Sequence, residues 1–164
     1  MHSKIIEIVE GLNKPLFKKN WATETSIPEY FVGEIADYAD DVGDDIVEDV
    51  KASFVKSFGE HCARDGNWIT FDVEAKKANA ERRYQEFIEK AKLLSTLTLD
   101  EFCGITKTLD VEHTVWELND AFEDKYSTYI FDSTYGEMLP LHKWLRQMRP
   151  GECYFMGGVI DYNW

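Results

Sequence analysis

Carboxylates are the chemistry-bearing side chains this chain holds in excess. It carries 31 Asp and Glu against 18 Lys and Arg in 164 residues, a net charge of −13. Nine of the acids lie between Glu29 and Asp49, with no Lys or Arg among them. Glu34, Asp37, Asp41, Asp44 and Glu48 step by three, four, three and four, so a helix would bring them onto one ridge, and Asp45 belongs to the same acidic face. Like charges one turn apart repel by roughly 0.2–0.5 kcal/mol per pair. Solubility alone does not require them to be gathered this way. A second stretch, Asp110 to Asp124, also lacks Lys and Arg and adds Glu117, Asp120 and Asp124.

Other site chemistries lack their patterns. Cys62, Cys103 and Cys153 form no CxxC pair, so they point to neither a zinc site nor a disulfide framework and read as reduced, mostly buried thiols. His61 and Cys62 are adjacent, and adjacent helical side chains diverge by about 100°, so a buried Cys62 beside a surface His61 is expected, not a nucleophile pair. Asp110 and His113 would share a helical face, yet no Glu-x-x-His unit exists to complete a di-metal carboxylate site. Gly157-Gly158 has no following Lys for a phosphate loop, and neither GxSxG nor HExxH occurs. His142, Lys143, Arg146 and Arg149 make a small basic patch. A helix C-terminus explains it, and a minor anion contact is the functional alternative. Carboxylates are too abundant to nominate a glycosidase acid and base by type alone. No catalytic residue, metal ligand or cofactor is assigned, and the balance leans away from an enzyme.

The elements that would position the acids follow from periodicity. Phe31, Ile35, Ala39, Val42, Ile46, Val50, Phe54 and Phe58 keep a helical stripe behind the ridge. Ser26 and Glu29 form a capping box that opens it. Gly33 and Gly43 are weak points, so the segment is one bent helix or two, near 27–42 and 44–62. A short helix is expected over residues 3–12, broken at Lys14-Pro15, with Trp21 in a loop as a core plug or, as the lesser alternative, a surface aromatic. Arg64–Asn67 is a turn and Trp68–Asp72 a strand. A helix capped by Asp72 runs to Leu94 with Ala80, Tyr84, Phe87, Ala91 and Leu94 inward. Thr98–Glu101 is a second capping box, opening a short helix that Gly104 ends. Asp110–Asp124 is a helix with Val111, Val115, Leu118 and Phe122 inward. A strand at Tyr126–Asp132, a helix at Glu137–Met148 and a strand at Cys153–Tyr162, in which Gly157-Gly158 suggests a bulge or a close backbone approach, complete the chain. The expected fold is α+β in a single domain, residues 1–164, with about six helices packed on a small antiparallel sheet of about three short strands. Regular βαβ alternation is missing.

The combination of short length, strong acidity and aromatic richness (14% Phe, Trp and Tyr) resembles the small acidic DNA-mimic inhibitors of phages and mobile elements as a class. The resemblance is one of composition and charge pattern and transfers no residue roles. It implies a non-enzymatic interaction protein that binds a basic protein surface, in its sharpest form the surface of a nucleic-acid-binding protein. Direct nucleic-acid and anionic-membrane binding are disfavoured by the charge. The competing expectations are a small cytoplasmic enzyme or ligand-binding protein with a carboxylate-containing aromatic pocket, and a structural or oligomeric subunit with Trp116, Trp144 and Trp164 at an interface. With no signal peptide or long apolar run, the expected location is the cytoplasm.

Overall fold

The run Ile5-Ile6-Glu7-Ile8-Val9 forms the middle of a sheet, not the first helix. In the computed structural model, which describes residues 1–11 and 27–164, strand β1 spans His2–Glu10 and all five of these side chains are buried. Ile5, Ile8 and Val9 also fit a helical face, and that coincidence misled the periodicity argument. A short apolar run that is buried on both faces cannot be assigned by period alone. β-Branched residues packed on both sides favour the strand. The expected roles of Leu12, Lys14-Pro15, Trp21 and Ser26 fall outside the described residues.

The chain divides into two compact units, residues 1–79 with 126–164, and residues 80–125. The first is built on a seven-stranded mixed sheet. Its further strands are β2 (Tyr38–Asp41), β3 (Cys62–Asp65), β4 (Trp68–Phe71), β5 (Tyr129–Asp132), β6 (Glu137–Pro140) and β7 (Cys153–Asn163). The order is β3-β4-β7-β1-β5-β6, with β2 also paired to β7. β1 and β5 are parallel, and every other pairing is antiparallel. This replaces the expected small antiparallel sheet of about three strands. Four strands were missed because each hid inside a segment assigned to helix or turn.

Among the described residues there are six α-helices: α1 (Phe31–Glu34), α2 (Asp44–Lys56), α3 (Ala75–Ser95), α4 (Leu99–Phe102), α5 (Val111–Glu123) and α6 (Leu141–Gln147). Gly33 adopts φ 109°, a conformation that leaves the helix, and Gly43 is the extended residue before α2. The stripe from Phe31 to Phe58 is therefore divided among α1, β2 and α2. Pro140 ends β6 and does not sit in the first turn of a helix.

Strand alternation gives the sheet two packed faces. Ile6, Ile8 and Ile130 join Phe54, Phe58, Phe71, Trp144, Leu145 and Met156 in one cluster; Ile5, Tyr129 and Phe131 join Phe31, Ile160 and Tyr162 in the other. The expected bulge is present. Ile6 pairs with Val159 and Ile8 with Met156, so Gly157 and Gly158 together oppose Glu7. The Gly158 amide, turned out of the ladder, donates to Glu7 Oε2 at 2.9 Å. A fully buried carboxylate is thus part of the bulge.

The second unit is helical. Most of α3 belongs to it, followed by α4 and α5. Asp110 Oδ1 accepts from the His113 amide at 3.0 Å, and Thr98 and Glu101 form the expected capping box. Its apolar side chains stay half-buried or exposed. Tyr84, Val115 and Phe122, expected to point inward, are 59%, 48% and 60% exposed.

Candidate functional site

The predicted acidic residues are spread over several elements. Glu34 ends α1, Asp37 lies in the connection, Asp41 is on β2, and Asp44, Asp45 and Glu48 occupy the first turns of α2. The expected ridge of evenly spaced charges does not form, because β2 has a different rise and side-chain period from a helix. What remains is an acidic edge. All eight carboxylates from Glu34 to Asp49 are exposed. Glu48 pairs with Arg64 at 2.7 Å, whereas Glu34, Asp37, Asp41 and Asp45 have no cation within salt-bridge reach among the described residues. Partial desolvation on the strand and the neighbouring Asp40 push the Asp41 carboxyl above its ordinary value.

Part of this charge serves the fold. Among the described residues β2 hydrogen-bonds to β7 through one edge only, and charged side chains protect an open strand edge from pairing with other chains. Asp44 and Asp45 sit where the helix dipole favours negative charge.

Glu117, Asp120 and Asp124 lie in a different setting, on and just after α5. Lys90 Nζ donates to Glu117 Oε2 at 2.5 Å, which holds the Glu117 carboxyl below its usual range. Arg83 Nε is 3.5 Å from Asp124 Oδ2. Burial, Asp124 and Glu86 raise the Asp120 carboxyl. Cations on α3 therefore answer Glu117 and Asp124, two of the acids of this second stretch.

The side chains assigned to other chemistry also have definite places. Asp110 caps α5 through the His113 amide. His61 Nδ1 meets Asp72 Oδ2 at 2.9 Å, and Cys62 is buried, its thiol pushed up to about 11 by desolvation. Cys103 and Cys153 are exposed, against expectation. Trp144 is 1% exposed and fills the core, so it offers no interface; Trp164 stacks on Tyr126 with ring centroids 4.0 Å apart.

A pocket of about 250 Å³ lies at the carboxyl ends of the parallel strands β1 and β5. Such strand ends commonly hold ligands in sheets with parallel pairing. Glu10, the last residue of β1, and Asp132, the last of β5, contribute carboxylates, and Glu137 adds one from the start of β6. Tyr135, Trp144, Met148 and Tyr154 form the apolar lining, with Gln147 and Arg149 completing it. Tyr135 Oη donates to Glu10 Oε2 at 2.7 Å, a bond that, with the Glu10 charge, raises the Tyr135 phenol. Arg149 lies 3.7 Å from Glu10 and 3.4 Å from Glu152. Asp132 is 4% exposed; Oδ2 accepts from Trp144 Nε1 at 3.1 Å and Oδ1 from the Thr134 amide at 3.1 Å.

Sequence reasoning missed this pocket because it read β1 as a helix. The sequence shows only that two runs of β-branched or aromatic residues, Lys4–Val9 and Tyr129–Phe131, are each followed by an acid. Parallel strands would place Glu10 and Asp132 at the same end. Among the described residues no helix is long and apolar enough to cross a membrane, and no group of three or more His, Cys, Asp or Glu is arranged to hold a metal ion. No protein-family model, no curated protein and no solved structure matches this chain.

Proposed function

We propose that this chain is a non-enzymatic interaction protein that binds a basic protein surface through the acidic edge of its sheet unit. The observation that carries this reading is the exposure of all eight carboxylates from Glu34 to Asp49, in a stretch that contains no Lys or Arg. A uniform negative edge on a chain of net charge −13 steers a basic partner over a Debye length and repels anionic surfaces. Asp37, Asp41, Asp44, Asp45 and Glu48 are the contacting groups, with Glu34 at the margin. The partner's basic surface in the nucleic-acid-mimic version is one that ordinarily holds DNA or RNA. The proposed compartment is the cytoplasm, where such partners are met.

The test is capture of partners on the immobilised protein at low salt, elution by a salt step, and titration of the purified partner. Affinity should fall steeply between about 50 and 300 mM salt, as a screened charge interface requires. Neutralising Asp37, Asp41 and Asp44 together should weaken binding more than neutralising Glu81, Glu86 and Glu89 on α3. Competition by duplex DNA identifies the mimic version. Binding that ignores salt and tolerates the triple neutralisation overturns the proposal.

A further inference from the structure

We infer that the strand-end pocket binds an alkylammonium group through Asp132, Glu10 and Glu137, against the aromatic wall of Tyr135, Trp144 and Tyr154. The site is separate from the acidic edge. β2 pairs with Ile160–Asn163, opposite the start of β1, whereas Glu10 at the other end of β1 pairs with Tyr154.

Three observations converge on a cation. First, the lining carries three carboxylates and one guanidinium, and Arg149 is already turned toward Glu10 and Glu152. Second, Asp132 is a buried carboxylate with no cation within salt-bridge reach among the described residues. Its two hydrogen bonds engage one lone pair on each oxygen, and a carboxylate has about four acceptor sites. A buried charge is costly until it is paired, so a cation entering here gains what the fold leaves uncompensated. Third, the apolar lining is aromatic, and ring faces attract ammonium groups while the same walls shelter an alkyl stem. A cavity of about 250 Å³ accepts a group of lysine-side-chain size. An anion would meet three like charges.

Two sources could supply this group: a free small amine, or a lysine presented by a protein partner. The probes are n-butylammonium, Nα-acetyl-lysine amide and, as neutral and anionic controls, n-butanol and butyrate. The readout is the NMR resonance of the Trp144 indole N–H, which reports directly on Asp132. Saturable shifts with the ammonium probes and none with the controls are expected. Glu137→Gln and Glu10→Gln should each weaken binding by about three- to fivefold, the size of one solvent-reached charge contact. Asp132→Asn should abolish it. If that variant fails to fold, the exposed Glu137→Gln carries the test. Preference for the lysine amide assigns the group to a partner side chain, and preference for butylammonium assigns it to a small amine. The triple variant at Asp37, Asp41 and Asp44 should leave pocket binding intact, so the two proposals can fail independently. Absence of a saturable shift with either ammonium probe, or equal shifts with butanol, overturns the inference.

Discussion

The two units stabilise themselves in different ways. Every apolar residue buried among the described residues belongs to the sheet unit, from Ile5 to Tyr162. Residues 80–125 contain none, and they expose Leu99, Phe102 and Ile105 at 72% or more. The helical unit is held by one capping box, the Asp110 cap, contacts such as Phe87 against Phe122, and ion pairs from α3 to α5. The contrast explains why the two acidic stretches differ. Glu117 on α5 and Asp124 just after it help to hold helices together, whereas Glu34, Asp37, Asp41 and Asp45 at the sheet edge meet no cation within salt-bridge reach among the described residues. A charge run read along one element cannot show this, because the neutralising cations come from another.

The contrast breaks most visibly at aromatic side chains. Phe71→Ala, in a side chain 1% exposed that packs edge-on against Phe58 and Trp144, should cost about 3–5 kcal/mol. Phe122→Ala, at a position 60% exposed, should cost well under about 1 kcal/mol. Chemical denaturation of both variants checks this. Equal losses would show that the helical unit has a core of its own.

A smaller effect is expected at the bulge. Glu7→Ala removes the acceptor of the half-buried Gly158 amide, and a buried donor left unsatisfied costs about 1–3 kcal/mol, so a loss at the lower end of that range is expected. Glu7→Gln keeps an acceptor oxygen and should recover part of the loss. If both variants unfold at the wild-type midpoint, the carboxylate does not support the bulge.

Much of the sequence pattern survived in pieces. Asp72, Thr98 and Asp110 cap the helices expected of them, because a cap is a local bond between a side chain and a nearby amide. The Gly157-Gly158 bulge was equally local. The sheet was not legible, since Ile5 to Val9 carries no cue to its partners β5 and β7, and Tyr38–Asp41 becomes a strand only because β7 is beside it. The acidic residues were legible as a composition. Their arrangement was not, because it depends on where Gly33 and Gly43 end one element and begin the next. The pocket needed the parallel register that puts Glu10 and Asp132 at one end, a fact of topology alone.

The ion pairs of the helical unit sharpen the comparison at a lower energy. Lys90→Ala should loosen α5, read as faster amide exchange over Glu112–Phe122, while amides of β1 keep their protection. High salt should mimic the variant, since both partners are partly open to solvent. Exchange that is unchanged in both conditions would mean the pair contributes nothing to the unit.

The smallest effect is a pH dependence in the sheet unit, at the His61–Asp72 contact. The hydrogen bond that His61 donates to Asp72 raises the His61 imidazole above 6.5, and the same bond pulls the Asp72 carboxyl below 3.8. For the histidine, the folded state binds the proton more tightly, so its contribution is complete below the unfolded value of 6.5 and is lost as pH rises through the higher folded value. For the aspartate, the contribution is present above 3.8 and is lost as pH falls through the lower folded value. The two conditions overlap between 3.8 and 6.5, the range in which both contributions are complete. His61→Gln should therefore lower Tm most within that window and converge on wild type toward pH 9. Asp72 keeps its bonds to the Glu74 and Ala75 amides in the variant, so α3 retains its cap and the difference isolates the ion pair. A Tm difference that stays constant across the window and beyond it would mean His61 acts by packing and not by charge.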